Sequence, residues 1–367
     1  MEFNLKDQKP YLELTNILRG GAALVVLIWH YQHFYYGFQD FDFTRQPLFR
    51  LLSIPYTRGY EAVPLFWMIS GVVLTHRYLG EHIPMRSFAI ARIARLYPLH
   101  LATLFVVAVL QFLANAQLGY QLIYGNNDLK HFVLNLFFAS SWGFENGYSF
   151  NAPIWSVSIE IPIYIAFGAS LALQKLRAMP VWLFAAAGLL LGSSWFREWP
   201  SQLLNQEFLR CLLYFSMGSA ILQLANYWRR SRALRISLGS IAVVALVFLQ
   251  QSSYDYLFLT CICVLVAALS IEGSLLQPLS RSLKWLGALT YSVFLCHIPV
   301  QMLLILAWGG YEGLSSTPDE SWFMLLYVAL TYGVGAIAYR FVESPARVLV
   351  QRLAASRESS QPSTKSR

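Results

Sequence analysis

Arg19-Gly20-Gly21-Ala22-Ala23-Leu24-Val25-Val26-Leu27-Ile28-Trp29-His30 is too apolar for a surface helix, yet it begins with a guanidinium and ends with an imidazole. A charged side chain at the centre of a membrane helix costs about 2.5 to 3.5 kcal/mol on insertion scales, so such groups persist where they face protein or water. Arg19 and His30 are eleven positions apart, close to three turns at about 3.6 residues per turn. A regular helix therefore projects both from one face, with Ala22, Ala23 and Val26 between them.

The rest of the chain has the same character. Of 367 residues 56% are apolar, 16% aromatic and only 13% charged, and the mean hydropathy is +0.47. Soluble domains carry about a quarter charged residues. The expectation is an all-α polytopic membrane bundle, with residues 1–350 as one integral domain and the polar, Ser-rich residues 351–367 as a disordered cytoplasmic tail.

Ten runs are apolar enough to span a bilayer, near residues 14–36, 60–80, 96–117, 152–173, 180–196, 205–226, 236–252, 255–271, 285–307 and 322–345. With the N-terminus inside, the cytoplasmic loops receive Lys6, Lys9, Arg77, Arg86, Arg92, Arg95, Lys175, Arg177, Arg229, Arg230, Arg232, Arg235, Arg281, Lys284 and the basic residues from Arg340 onward. The outer side receives only Arg45, Arg50, Arg58, Lys130 and Arg197. That bias puts both termini in the cytoplasm. It also accounts for the net charge of +8, which in a soluble chain would suggest nucleic acid, so no nucleic-acid partner is expected. The first run lacks a signal-peptide cleavage site and is read as retained. Cys211, Cys261, Cys263 and Cys296 all fall in spans and read as small packing residues, without the spacing of a metal site. A semi-apolar piece, Phe132 to Trp142, lies in the longest outer segment and carries no assignment.

Five polar constellations interrupt the apolar background. His30 lies about 9 Å below the outer boundary, and Glu160, in Trp155-Ser156-Val157-Ser158-Ile159-Glu160, lies about 12 Å below it at 1.5 Å per residue. A carboxylate at matching depth suits a histidine base, because it fixes the tautomer and stabilises the imidazolium; a structural ion pair is the plainer alternative. Arg92 and Arg95 share a helical face at the inner rim, where guanidinium forks can hold a diphosphate, with Arg19 converging on the same anion; positive-inside anchoring also explains them. Ser70-Gly71 permits close helix approach or lines a narrow ligand site. Tyr291, Ser292 and His297 bring hydroxyls and an imidazole to mid-membrane. Arg340, Glu343 and Arg347 read as a structural ion ladder on the last helix.

These blocks, in this order, resemble the acyltransferase-3 membrane proteins, which O-acylate bacterial surface glycans, peptidoglycan and some antibiotics. The matching elements are Arg19-x10-His30, the stretch ending Ser70-Gly71, Arg92-x-x-Arg95-x-x-Pro98, Trp155-Ser156-x3-Glu160, Tyr291-Ser292-x-x-Leu295-x-His297 and Arg340-Phe341-Val342-Glu343-x-Pro345. Trp67 stands where Phe is common, and Val157 where Leu is usual.

The resemblance implies His30 as the catalytic residue with Glu160 as its partner. It implies acyl-CoA, acetyl-CoA by default and succinyl as a variant, held by Arg92, Arg95 and Arg19, with no metal. Ser70, Trp155, Ser156, Tyr291 and His297 would line the cavity. The acceptor would be a glycan or lipid-linked oligosaccharide at the bacterial inner membrane. With no fused extracytoplasmic esterase-like domain expected, the chain would act alone or pass the acyl group to a separate protein. General-base and covalent acyl-histidine routes both suit these residues. A proton-coupled transporter or lipid-linked sugar flippase is the competing class, since buried His, Glu and Arg also describe such carriers.

Overall fold

Helix termini fall where the chain supplies a cap. Gly119 adopts φ 77° and closes the longest helix, its N–H bonding Asn115 O at 3.1 Å, the left-handed ending that glycine favours. Asp128 opens the next helix by accepting the His131 backbone N–H at 2.9 Å. The computed structural model describes residues 12–37, 41–79, 81, 84–173, 180–192, 206–228, 230–248, 254–271 and 282–359, and among these all regular structure is helical. In chain order the helices are α1 (Glu13–Trp29), α2 (Phe49–Arg58), α3 (Ala62–Tyr78), α4 (Met85–Leu118), α5 (Leu129–Leu136), α6 (Trp155–Leu173), α7 (Pro180–Gly192), α8 (Gln206–Trp228), α9 (Arg232–Phe248), α10 (Tyr254–Ile271), α11 (Lys284–Ala307), α12 (Ser321–Ala338) and α13 (Ser344–Ser359). A 3-10 segment, His30–Tyr35, continues α1, and a π-helical turn, Tyr339–Glu343, joins α12 to α13.

Five stretches among the described residues are long and apolar enough to cross a membrane: Met85–Leu118, Ala152–Ala172, Gln206–Trp228, Lys284–Ala307 and Ser321–Val350. The protein is a multi-pass membrane protein. The runs expected at 14–36 and 60–80 contain α-helices of only 17 residues each, α1 and α3, flanked by 3-10 turns. α13 continues past Gln351 to Ser359, so helix replaces the start of the expected tail; its Leu, Arg and Ala content favours helix. Lys6, Lys9, Lys175, Arg177, Arg197, Arg229 and Arg281 lie outside the described residues, as do positions 80, 193–196, 205, 249–252 and 360–367.

The chain divides into two units. The first comprises Met1–Trp29, Arg58–His82 and Ile159–Thr290. Within it α8 packs against α3 and α7, and α9 pairs with α10. Glycines bring α3 and α8 together: a Cβ at Gly71 would lie 2.0 Å from the Phe215 carbonyl oxygen, and one at Gly218 would lie 1.9 Å from that of Met68. Membrane helices associate through such close backbone packing, because lipid offers no hydrophobic driving force between them. Thr75 Oγ1 donates to Ser219 Oγ at 2.7 Å in the same interface. The role of helix packing for Ser70-Gly71 thus falls on the glycine. A second reciprocal pair joins α1 to the start of α11, where Gly20 faces Leu286 and Gly287 faces Asn16. Cys211 and Cys261 are buried and Cys263 half-buried, all three as free thiols.

The second unit comprises His30–Thr57, Ile83–Ser158 and Tyr291–Arg367. In it α13 packs on α4, and Gly335 of α12 sits against Val293 of α11, where an added Cβ would come within 3.0 Å. Two of its carbonyls are freed by prolines four residues further along the chain, which supply no N–H to the helical ladder. Pro162 frees the Ser158 carbonyl, which accepts Trp142 Nε1–H at 3.0 Å. Pro299 frees the Leu295 carbonyl, which accepts Asn151 Nδ2–H at 2.9 Å. The piece from Phe132 to Trp142 is therefore structured. It begins inside α5 and is tied down by His100 Nε2, which donates to Asn135 O at 2.8 Å, and by Trp142.

Gly71→Ala and Gly218→Ala each place a methyl group inside a carbonyl contact. Each is expected to destabilise the protein by about 1 to 3 kcal/mol, read as a lower thermal midpoint in detergent, whereas Gly21→Ala, with nothing within 4 Å, leaves the midpoint unchanged. Unchanged midpoints for both α3 and α8 variants would show that the helices do not approach as described.

Candidate functional site

The chain changes pitch at His30. The α-helix ends at Trp29, and the 3-10 segment has three residues per turn, so positions three apart stand in line. His33 therefore sits beside His30, edge to face, with ring centroids 5.0 Å apart. A third imidazole arrives from α11: the His297 ring lies 4.7 Å from that of His30. All three are buried, at 7%, 1% and 1% exposure.

The hydrogen bonds distinguish the three rings. Gln301, one turn beyond His297 on α11, donates from Nε2 to the His30 carbonyl at 2.7 Å, which fixes its amide orientation. Its Oε1 can then only accept, so His33 Nδ1–H is the donor in their 2.9 Å contact. His33 Nε2 is left to accept from the Tyr124 hydroxyl at 3.4 Å. His297 Nδ1 donates to the Phe294 carbonyl at 2.6 Å, which makes Nε2 the lone-pair nitrogen; it is buried and makes no hydrogen bond among the described residues.

A second cluster surrounds Arg95 on α4. Its guanidinium pairs with the Glu343 carboxylate and lies 5.5 Å from the centroid of the Tyr291 ring. Tyr291 in turn donates to the Leu96 carbonyl at 2.6 Å, and Ser292 Oγ donates to Glu343 Oε2 at 2.6 Å. The π-turn adds a residue to the helical repeat and turns Glu343 inward to 1% exposure, while Arg340 stays exposed over Phe341. Glu343 thus serves Arg95 and Ser292, and not a ladder along its own helix. Arg92, one turn before Arg95, is half-buried with its guanidinium 5.8 Å from the centre of the Phe88 ring.

Ser156 is buried near the start of α6 and donates to the Pro153 carbonyl at 3.2 Å; Trp155 beside it is half-buried. Glu160, at 6% exposure on α6, belongs to the first unit, as do half-buried Arg19 on α1 and half-buried Ser70 on α3. His33, Gln301, Tyr124 and Asn151 were not singled out from sequence. The spacings His30-x2-His33 and His297-x3-Gln301 are the signals for two of them; Tyr124 and Asn151 lie outside any periodic pattern.

A multi-pass membrane protein with a buried imidazole cluster and half-buried arginines has the equipment for proton or group transfer inside a bilayer. The family model described as an acyltransferase domain matches residues 15–340. The chain belongs to the acyltransferase-3 family. It is 26% identical over 371 residues, 91% of each chain, to the protein named acyltransferase MdmB of Streptomyces mycarofaciens. It is 24% identical over 339 residues to the peptidoglycan O-acetyltransferase OatA of Listeria monocytogenes, covering 79% of this chain and 51% of that one. The putative peptidoglycan O-acetyltransferase YrhL of Bacillus subtilis is also 24% identical, over 350 residues, with 50% of its length covered. The chain thus spans about half the length of those two relatives. No solved structure matches.

Removing one partner of a buried ion pair strands the other charge, at about 3 to 5 kcal/mol. Arg95→Ala is therefore expected to lower the thermal midpoint sharply, and Arg95→Ala with Glu343→Ala to recover part of the loss. A double-mutant cycle with additive effects would show that the two side chains act independently.

Proposed function

We propose that this protein is a membrane-embedded O-acyltransferase that moves an acyl group, acetyl by default, from cytoplasmic acyl-CoA to a hydroxyl of a cell-surface or exported glycan. The observation that carries the reading is the buried imidazole cluster around His30 in a chain of the acyltransferase-3 family. The names of the two peptidoglycan O-acetyltransferase relatives support a glycan acceptor.

In this reading His30 takes the proton from the acceptor hydroxyl as its oxygen attacks the thioester carbonyl carbon. The carbon–sulfur bond breaks, and His30 returns the proton to the departing thiolate, leaving an ester and free CoA thiol. In the covalent variant an imidazole nitrogen attacks first, releases the thiol, and passes the acyl group to the hydroxyl in a second step. Glu160 is assigned as the carboxylate that supports the His30 imidazolium. Arg92 and Arg19 are assigned to the phosphates of acyl-CoA; Arg95, already paired with Glu343, joins them by sharing its guanidinium. Ser70, Trp155, Ser156, Tyr291 and His297 are assigned to the lining of the substrate cavity. The proposed topology is ten spans in a bacterial inner membrane with both termini cytoplasmic, supported by the distribution of basic residues.

Membranes carrying the protein are expected to transfer labelled acetyl from acetyl-CoA to glycan as an alkali-labile ester. His30→Gln is expected to lower that transfer by about 10²–10⁴-fold with normal expression. Full activity in His30→Gln would end the catalytic assignment, and proton-coupled solute uptake without ester formation would establish the transporter reading instead.

A further inference from the structure

Next to the histidine cluster, within the second unit, lies a cavity of about 510 Å³ lined by Tyr36, Tyr120, Tyr311, Gln121, Ile123 and Glu312. That volume falls in the range of small-molecule sites. Tyr36 and Tyr120 are 50% and 38% exposed. Tyrosines at a membrane surface often form an interfacial belt anchored in lipid headgroups. These rings differ in being fixed around a concavity. The Tyr120 hydroxyl accepts the Tyr311 backbone N–H at 3.2 Å, and the Tyr311 hydroxyl accepts that of Ile123 at 3.3 Å.

The backbone makes room for the rings. A Cβ at Gly37 would sit 2.1 Å from the Tyr311 Cβ, and one at Gly310, where φ is 91°, would sit 2.5 Å from the Tyr120 hydroxyl. Ile123 is β-branched yet has φ 63°, a conformation such residues rarely adopt. It is held there by Gln111, which clamps Leu122 through bonds of 2.9 and 2.8 Å.

Exposed aromatic faces beside a carboxylate and an amide are suited to a pyranose ring, whose C–H face lies on the aromatic surface while its hydroxyls bond Glu312 and Gln121. The Glu312 charge disfavours a phosphate. The cavity also leads to the chemistry: Tyr36, which lines it, packs 4.8 Å from the His33 ring, and His33 packs against His30. Tyr124, next in sequence to Ile123, contacts His33 directly.

We propose that this tyrosine-walled cavity is the acceptor subsite, holding a sugar ring of the saccharide whose hydroxyl is acylated at His30; the assignment of the sugar as acceptor rests on the O-acyltransferase reading. The test is binding of chitotetraose and cellotetraose to the full chain in nanodiscs, followed by saturation-transfer NMR, for wild type, Tyr36→Ala and Glu312→Gln. Wild type is expected to bind at least one oligosaccharide, and each variant to bind it about tenfold or more weakly, with unchanged thermal midpoints and unchanged acetyl-CoA binding. Failure of wild type to bind either oligosaccharide, or wild-type affinity in both variants, overturns the subsite. Labelled acetyl transfer measured in parallel separates the two readings: sugar binding lost in Tyr36→Ala while wild type transfers no acetyl group retains the sugar site and rejects the enzyme.

Discussion

Inside a bilayer a polar group that leaves the helical ladder must find its partner within the protein, because lipid supplies none. The second unit is arranged around that constraint. Pro162 and Pro299 each release a carbonyl, and each carbonyl is met by a side chain from the segment preceding or opening α6, Trp142 in one case and Asn151 in the other. The Leu295 carbonyl lies two residues from His297, so the break that Asn151 repairs falls where α11 presents its imidazole. The helix is opened and fastened at the position where the chemistry is expected.

The same constraint governs the charged cluster. A buried Glu343 is tolerable because Arg95 neutralises it and Ser292 donates to its second oxygen. Tyr291 covers the guanidinium and ties itself to the Leu96 carbonyl beside it. The Tyr-Ser pair of α11 is therefore spent on holding α4 and the π-turn together. Arg95 thus carries an internal counter-ion in Glu343, and the Arg92 guanidinium one turn earlier lies 5.8 Å from the centre of the Phe88 ring.

The membrane class was legible in the sequence because 13% charged residues and long apolar runs leave no soluble alternative. His30 was legible because an ionisable group in such a run is expensive, and Arg95 because it shares a helical face with Arg92 at the inner rim. What stayed hidden depends on geometry that periodicity does not encode. The π-turn reverses the reading of Glu343, since a regular helix would align it with Arg340 and Arg347. Gly218 matters only through its register with Gly71 on another helix. Gln301 is neutral and raises no alarm in a hydropathy scan, yet it fixes the histidine tautomer. The extension of helix past Gln351 was masked by polar composition, which resembles that of a disordered segment even where Ala, Leu and Arg favour helix.

The change from α to 3-10 pitch at His30 decides which imidazole is suited to react. Continued α-helical pitch would set His33 about 60° around the helix from His30. With three residues per turn His33 comes into line, and Gln301 and Tyr124 then engage both of its nitrogens. His33 is thereby a support: through Gln301 it is linked to the His30 carbonyl, so the His30 backbone is set by the same amide that sets His33. His297 differs, because among the described residues only Nδ1 is engaged, by Phe294, and the lone pair on Nε2 belongs to a ring 4.7 Å from His30. An imidazolium formed on His30 therefore has a neutral, proton-accepting ring as its neighbour and no fixed cation among the three, an arrangement that favours a charge which appears and disappears within each cycle over one held permanently.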